Sequence, residues 1–231
     1  MATTARRAAR ARLGIRSTGL PLTAAEFDAW PATDHDPNYR YELIRGVLVV
    51  SPFAGNGEVS PNDELGYLLR LYRDGHPEGR RIDSTLYEQT LICGENRRRC
   101  DRAIWVGLGR TPDLARDFPA IVVEFVSRSR RDFVRDYEEK RDEYRQAGAL
   151  EYWIIDRFRR TMTVHRFARD AGSPEVAVAV TVAEAETYQT DLLPGFALPL
   201  GRLLKAADLW APPPRVRKPK PRPDPPEGDP R

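Results

Sequence analysis

Glu124 stands in "FPAIVVEFVS", residues 118–127, where Ile, Val and Phe otherwise fill what reads as a strand buried on both faces. A carboxylate buried without a partner costs several kcal/mol or takes up a proton, so Glu124 calls for a cation, a hydrogen-bond donor or a metal. Asp101 follows "RRRC" and opens the preceding strand-like run. If the two runs are neighbours, their carboxylates converge at one end of a sheet. Converging carboxylates repel unless positive charge lies between them, and a hard divalent ion such as Mg²⁺ suits oxygen ligands. Two unrelated surface acids are the alternative. Lys140 belongs to a helix expected from about Arg131 to Ala147 and ended by Gly148. The apolar stripe of that helix runs through Phe133, Tyr137 and Tyr144, and Lys140 falls inside it. A helix that packs this stripe on a sheet delivers Lys140 there too, either to meet Glu124 or to snorkel out to water.

The elements that must position these groups are readable in outline. "LTAAEFDAWPA" reads as a short helix opened by Thr23, with Glu26 at capping-box spacing. "YRYELIRGVLVVSP" reads as a hairpin through Gly46 that ends at Pro52. Leu65, Leu68, Leu69 and Tyr72 recur at helical spacing before a stop at Gly75. "STLYEQTLIC", "DRAIWVGL" and "IVVEFV" then read as three strands, and "EYWIID" and "TMTVHRF" as two more after the Lys140 helix. This order predicts a mixed sheet flanked by helices, in the α/β or α+β class.

A hydrophobic share of 41% and a charged share of 31% over 231 residues are enough for one globular core and argue against wholesale disorder. The net charge of +3 conceals an uneven distribution: residues 1–20 carry +5 and residues 211–231 carry +3, which leaves −5 for residues 21–210. Attraction to polyanions must therefore come from local basic patches or from the ends. Residues 1–19 read as a disordered basic leader, with a transit peptide as the alternative, and residues 211–231 as a disordered Pro/Lys/Arg-rich tail holding nine of the twenty prolines. Cys93 and Cys100 are too few for a disulfide framework and lack zinc-site spacing, so a cytoplasmic setting is expected. No apolar run approaches the ~20 residues of a membrane span. His76 and His165 have no partner at metal-ligand spacing and read as ordinary surface or half-buried residues.

The run from Phe118 to Asp156 resembles the Uma-two family of restriction-endonuclease-like proteins, within the PD-(D/E)xK nuclease superfamily. The family pattern of Pro-Asp, Glu-Val-x-Ser, Asp-x-x-x-Lys-x-x-x-Tyr and "AGV-EYW" is met by Cys100-Asp101, by Glu124 to Ser127, by Asp136, Lys140 and Tyr144, and by "AGALEYWIID". "YELIRGVLVVSP" resembles the family's opening and "LLPGFALPLGRLL" its close, so the likeness spans about residues 20–210. It implies a single domain over that span with a restriction-endonuclease-like mixed β-sheet flanked by helices. It further implies a metal-dependent endonuclease that hydrolyses phosphodiester bonds in DNA with Mg²⁺ or Mn²⁺.

On this resemblance Asp101 and Glu124 are the metal ligands, Glu42 is a further active-site acid, and Lys140 supplies the charge that the superfamily usually carries at the position of Val126. Cys100 in place of proline, and Pro61 or its neighbours in place of a histidine, depart from the pattern. Arg128, Arg130, Arg131 and Arg135 lie on the approach to the Lys140 helix and could grip phosphates. The alternative is a catalytically weak or inactive nucleic-acid-binding module on the same scaffold. A homodimer is compatible with either reading. A paired-carboxylate glycosidase has the residue types but gives Lys140 no role.

Overall fold

The computed structural model describes residues 13–127, 139–168 and 178–211. The tail from residue 212, the leader before residue 13, the four arginines between 128 and 135, and the expected helix start at Arg131 lie outside the described residues. Within the span assigned to the leader, Leu13 and Gly19 are tied to the fold. Leu13 is buried and its carbonyl accepts from the Tyr41 hydroxyl at 3.0 Å, while the Gly19 N–H donates to the Leu48 carbonyl at 2.9 Å. These contacts flank a single 3₁₀ turn over Ile15–Ser17, and one buried leucine with backbone bonds on either side holds the segment without an apolar period.

The expected hairpin forms as β1 (Tyr39–Ile44) and β2 (Val47–Pro52). Its two-residue turn puts Arg45 and Gly46 at φ 51° and 74°, the left-handed pair that matches the twist of the strands. Ahead of it, α1 (Ala24–Asp28) carries the capping box foreseen at Thr23 and Glu26. α2 (Asn56–Gly75) begins before the periodic leucines and contains Pro61, whose missing N–H removes one intrahelical bond near the first turn.

β3 (Ile82–Cys93), β4 (Asn96–Val106), β5 (Ile121–Phe125), β6 (Glu151–Asp156), β7 (Thr161–Arg166) and β8 (Val178–Ala183) complete an eight-stranded mixed sheet. Its order is β2-β1-β4-β5-β6-β7-β8, with β3 pairing β4 off that path. β5 and β6 are parallel, and the other pairs are antiparallel. β9 (Thr187–Tyr188) and β10 (Leu198–Pro199) form a small separate sheet. Alternation along β5 splits the core: Val123 and Phe125 pack with Leu65 and Leu69 of α2 and with Leu203 and Leu204 of α4 (Leu200–Asp208). Val122 and Val126 pack on the opposite face with Tyr144 of α3 (Lys140–Ala147).

β4 starts at Asn96, five residues before the expected start at Asp101, so Asp101 lies mid-strand. The charge of "NRRRCDR" hides this strand from a hydrophobic reading, yet each of its four arginines is anchored, Arg99 on Glu88 of β3 at 2.8 Å and the other three on helices. Arg97 bonds Asp28 of α1 through two nitrogens, at 2.8 and 2.6 Å. Arg98 grips Glu143 of α3 in a fork with two 2.6 Å bonds. Arg102 donates to the Asn62 side chain and carbonyl on α2. Burial pulls the Arg102 guanidinium down to about 10, which leaves it protonated at neutral pH. One strand thus ties three helices to the sheet by charge-assisted bonds.

Candidate active site

β4 pairs with β3 along nearly its whole length, but its other edge is shared between two strands. β1 joins that edge at Leu43↔Arg97, and β5 joins it at Arg102↔Val123 through Ile104↔Ile121. Between these attachments the backbone groups on that edge need other partners, because an orphaned buried N–H or C=O costs about as much as a lost hydrogen bond. Side chains supply them. Glu42 Oε1 accepts the Arg99 N–H at 3.0 Å and Lys140 Nζ donates to the Arg99 carbonyl at 3.1 Å, while Asp101 Oδ2 reaches from β4 to accept the Phe125 N–H of β5 at 2.7 Å. A cleft of about 240 Å³ opens at this gap, and Glu42, Asp101, Glu124 and Lys140 all line it.

Asp101 and Glu124 stand one residue beyond the last paired residues, Arg102 and Val123, on neighbouring strands. Glu124, 3% exposed, takes Lys140 Nζ at 2.8 Å and the Tyr144 hydroxyl at 2.9 Å, both on Oε1. Lys140 is 2% exposed and does not snorkel: it opens α3 and points into the sheet, where Glu124 neutralises it. Burial pushes the Tyr144 phenol well above its ordinary value, and the Glu124 charge adds to this, so the hydroxyl remains a donor. The Asp101 carboxyl is raised, chiefly by burial, although Arg40 at 3.4 Å and the Phe125 N–H pull the other way. Burial likewise lifts Cys100 well above the thiol range, which leaves it no nucleophilic role at neutral pH.

The structure therefore brings together the four residues singled out from sequence, from β1, β4, β5 and α3. It also shows partners that the pattern did not reveal. Tyr144 reads as an apolar stripe residue, but its hydroxyl fixes Glu124. Arg40 and Arg99 line the cleft and share Glu88, an acid within "STLYEQTLIC" whose position among strand-forming residues was the available signal. His165, expected at the surface or half-buried, is buried and stacked on Tyr152 with ring centres 6.1 Å apart. The donor set offers hard carboxylate oxygens, which suit an ion that keeps several of its own waters. Among the described residues no group of three or more His, Cys, Asp or Glu side chains is arranged to hold a metal.

A model of the Uma2 family, described as "Putative restriction endonuclease", matches residues 24–201. A solved structure titled as a "putative nuclease belonging to DUF820", from Anabaena variabilis ATCC 29413, is similar in fold. It aligns with TM-score 0.62 and 15% identity over 81% of this chain and 99% of that chain. None of the curated proteins matches this chain. Among the described residues no helix is long and apolar enough to cross a membrane.

Proposed function

The chain belongs to the Uma2 family of restriction-endonuclease-like proteins, and from that membership and the cleft we propose a divalent-metal-dependent endonuclease that hydrolyses phosphodiester bonds in DNA. The observation that carries this reading is the convergence of Asp101, Glu124, Lys140 and Glu42, from four separate elements, on one cleft at the break in the β4 edge. On this reading the nuclease domain spans about residues 20–210 and works in the cytoplasm.

Asp101 and Glu124 would hold the metal, Mg²⁺ or Mn²⁺. Bound there, such an ion supplies Lewis acidity toward a phosphoryl oxygen and a more acidic water. The chain's own groups do the positioning. Tyr144 and Lys140 fix the Glu124 carboxylate, and the Phe125 N–H fixes that of Asp101. Lys140 adds a positive charge where charge develops on the phosphate, in a site with little water to screen it. Glu42 holds the β4 backbone at Arg99 and keeps the mouth of the gap in shape.

A second reading, a nucleic-acid-binding module without turnover, is favoured by one observation: Lys140 and Arg40 already pair with Glu124 and Asp101. Incubation of the purified protein with supercoiled plasmid in Mg²⁺, Mn²⁺ or EDTA separates the two. The nuclease reading expects nicking that needs the ion and falls at least about 100-fold in Glu124→Gln. Binding without nicking in either metal selects the module.

A further inference from the structure

Arg40 and Arg99 line the same cleft, and neither has a part in the chemistry above. Glu88 bridges them: its Oε1 lies 2.8 Å from Arg40 Nη2 and its Oε2 accepts from Arg99 Nε at 2.8 Å. Glu88 sits in β3 at φ 51°, a left-handed backbone that L side chains rarely adopt. The departure falls where the β3–β4 register runs from Tyr87↔Arg102 to Gln89↔Cys100 without pairing Glu88. A strand that tolerates such a residue at its middle is holding the carboxylate in place for these two arginines.

The guanidiniums are held but not saturated. Arg40 Nε is buried and has no hydrogen-bond partner among the described residues, and the approach of Nη2 to Glu88 is ionic rather than an aligned hydrogen bond. The Arg99 guanidinium lies 5.9 Å from the centre of the Phe53 ring, which is exposed at the cleft. If Asp101 is given to a metal, two fixed cations share one carboxylate, and a guanidinium fork matches the oxygens of a phosphate.

We propose that Arg40 and Arg99 form a two-guanidinium clamp for one backbone phosphate of duplex DNA, with Glu88 as the positioning residue that holds both. The proposal rests on the nuclease reading of the cleft and adds the group that seats the substrate strand beside the carboxylates. The clamp reads phosphate charge and not base identity, so its signature is a salt dependence that sequence does not alter.

The test is fluorescence anisotropy of a fluorescein-labelled 20-base-pair duplex in Ca²⁺, a hard ion that takes carboxylate oxygens, titrated with KCl, using the full chain. The double variant Arg40→Met/Arg99→Met should lose about 0.9 from the slope of log K against log[KCl] and bind about tenfold more weakly. Each single Met variant should lose part of that slope, so a double variant that failed to fold would still leave two measurements. Arg40→Lys/Arg99→Lys keeps the charges and should restore most of the slope. Arg73→Met, in the last turn of α2 and about 26 Å along the helix from its start at the cleft, should leave it unchanged. An unchanged slope in the folded Met variants, or an equal loss in Arg73→Met, overturns the clamp. The nuclease reading is judged separately by plasmid nicking: a protein that nicks plasmid but shows a slope indifferent to both arginines keeps that reading and loses the clamp.

Discussion

Two buried glutamates stand on adjacent parallel strands, Glu124 on β5 and Glu151 on β6, and the chain satisfies them in different ways. Glu151 Oε1 accepts from Thr190 at 2.7 Å, and its Oε2 accepts from Trp153 Nε1 at 2.8 Å and the Tyr188 hydroxyl at 3.0 Å. The Arg166 guanidinium stays 3.6 Å off, and Glu151 does not border the cleft. Glu124 takes a neutral donor, Tyr144, together with a cation, Lys140, on the same oxygen, and it lines the cleft. A shell of three neutral donors closes a carboxylate and makes it a structural strut. A carboxylate balanced by a charge at an opening can take an ion beside that charge. Burial alone does not separate the two roles, whereas the donor set and the opening do.

The sharpest way to break this contrast is Lys140→Met. In metal-free protein it strips Glu124 of the Lys140 cation and should cost about 3–5 kcal/mol, read as a loss of denaturant midpoint. If Glu124 helps to hold a metal, millimolar Mn²⁺ should recover part of that loss in Lys140→Met and raise the wild type less, because the ion takes over the missing charge. A loss that Mn²⁺ leaves untouched would make Glu124 and Lys140 as structural as Glu151.

Glu151→Gln tests the other side. Its amide N–H₂ would face the Trp153, Tyr188 or Thr190 donors, so about 1–3 kcal/mol of stability should go, while plasmid nicking by the folded fraction stays at the wild-type level. A nicking defect as deep as that of Glu124→Gln would erase the distinction drawn between the two acids.

The smallest effect is a pH dependence. His165 is held below its ordinary value of 6.5, chiefly by burial and then by Arg141, with Asp142 opposing. The folded protein keeps it neutral while the unfolded chain protonates, so its contribution is present above pH 6.5 and is lost as pH falls toward the depressed folded value. Asp101 has the opposite sign: its folded carboxyl is raised, so its contribution is present below the unfolded value of 3.8 and is lost as pH rises through the raised one. Thermal melts from pH 8 to pH 5 should show a decline on acidification that His165→Phe flattens. Asp101→Asn should stabilise the metal-free protein at neutral pH while it abolishes nicking. A decline unaltered by His165→Phe places the titrating group elsewhere.

Much of the fold was legible because its signals are local. The capping box at Thr23, the hairpin turn at Arg45-Gly46, the leucine stripe of α2 and the alternation of "IVVEFV" each depend on residues within a few positions of one another. β8, the β9–β10 pair and α4 were not called as elements. β8 is mostly exposed on its described residues, and β9 and β10 are two residues each, too short for any period to register. The expected start of β4 falls late because Arg97 and Arg98, ahead of Asp101, are satisfied by Asp28 and Glu143, partners that lie 69 and 45 positions away.

By itself, the sequence determined that a carboxylate must sit in a strand buried on both faces and that a lysine must lie on the stripe of the helix that follows, since strand and helix periods are properties of adjacent residues. Family resemblance added Glu42 and the expectation that Asp101 and Glu124 are metal ligands. Only the tertiary structure decided that β1 and β5 divide one edge of β4, so that a gap opens between them, and that this gap gathers Glu42, Asp101, Glu124 and Lys140 around one cleft. It alone separated Glu124 from Glu151 and joined Arg40 and Arg99 through Glu88. The reason is physical: which strand edge is left unpaired, and which donors reach a buried charge, follow from contacts such as Glu42 to Arg99 and Arg40 to Asp101, 57 and 61 positions apart, that no local period encodes.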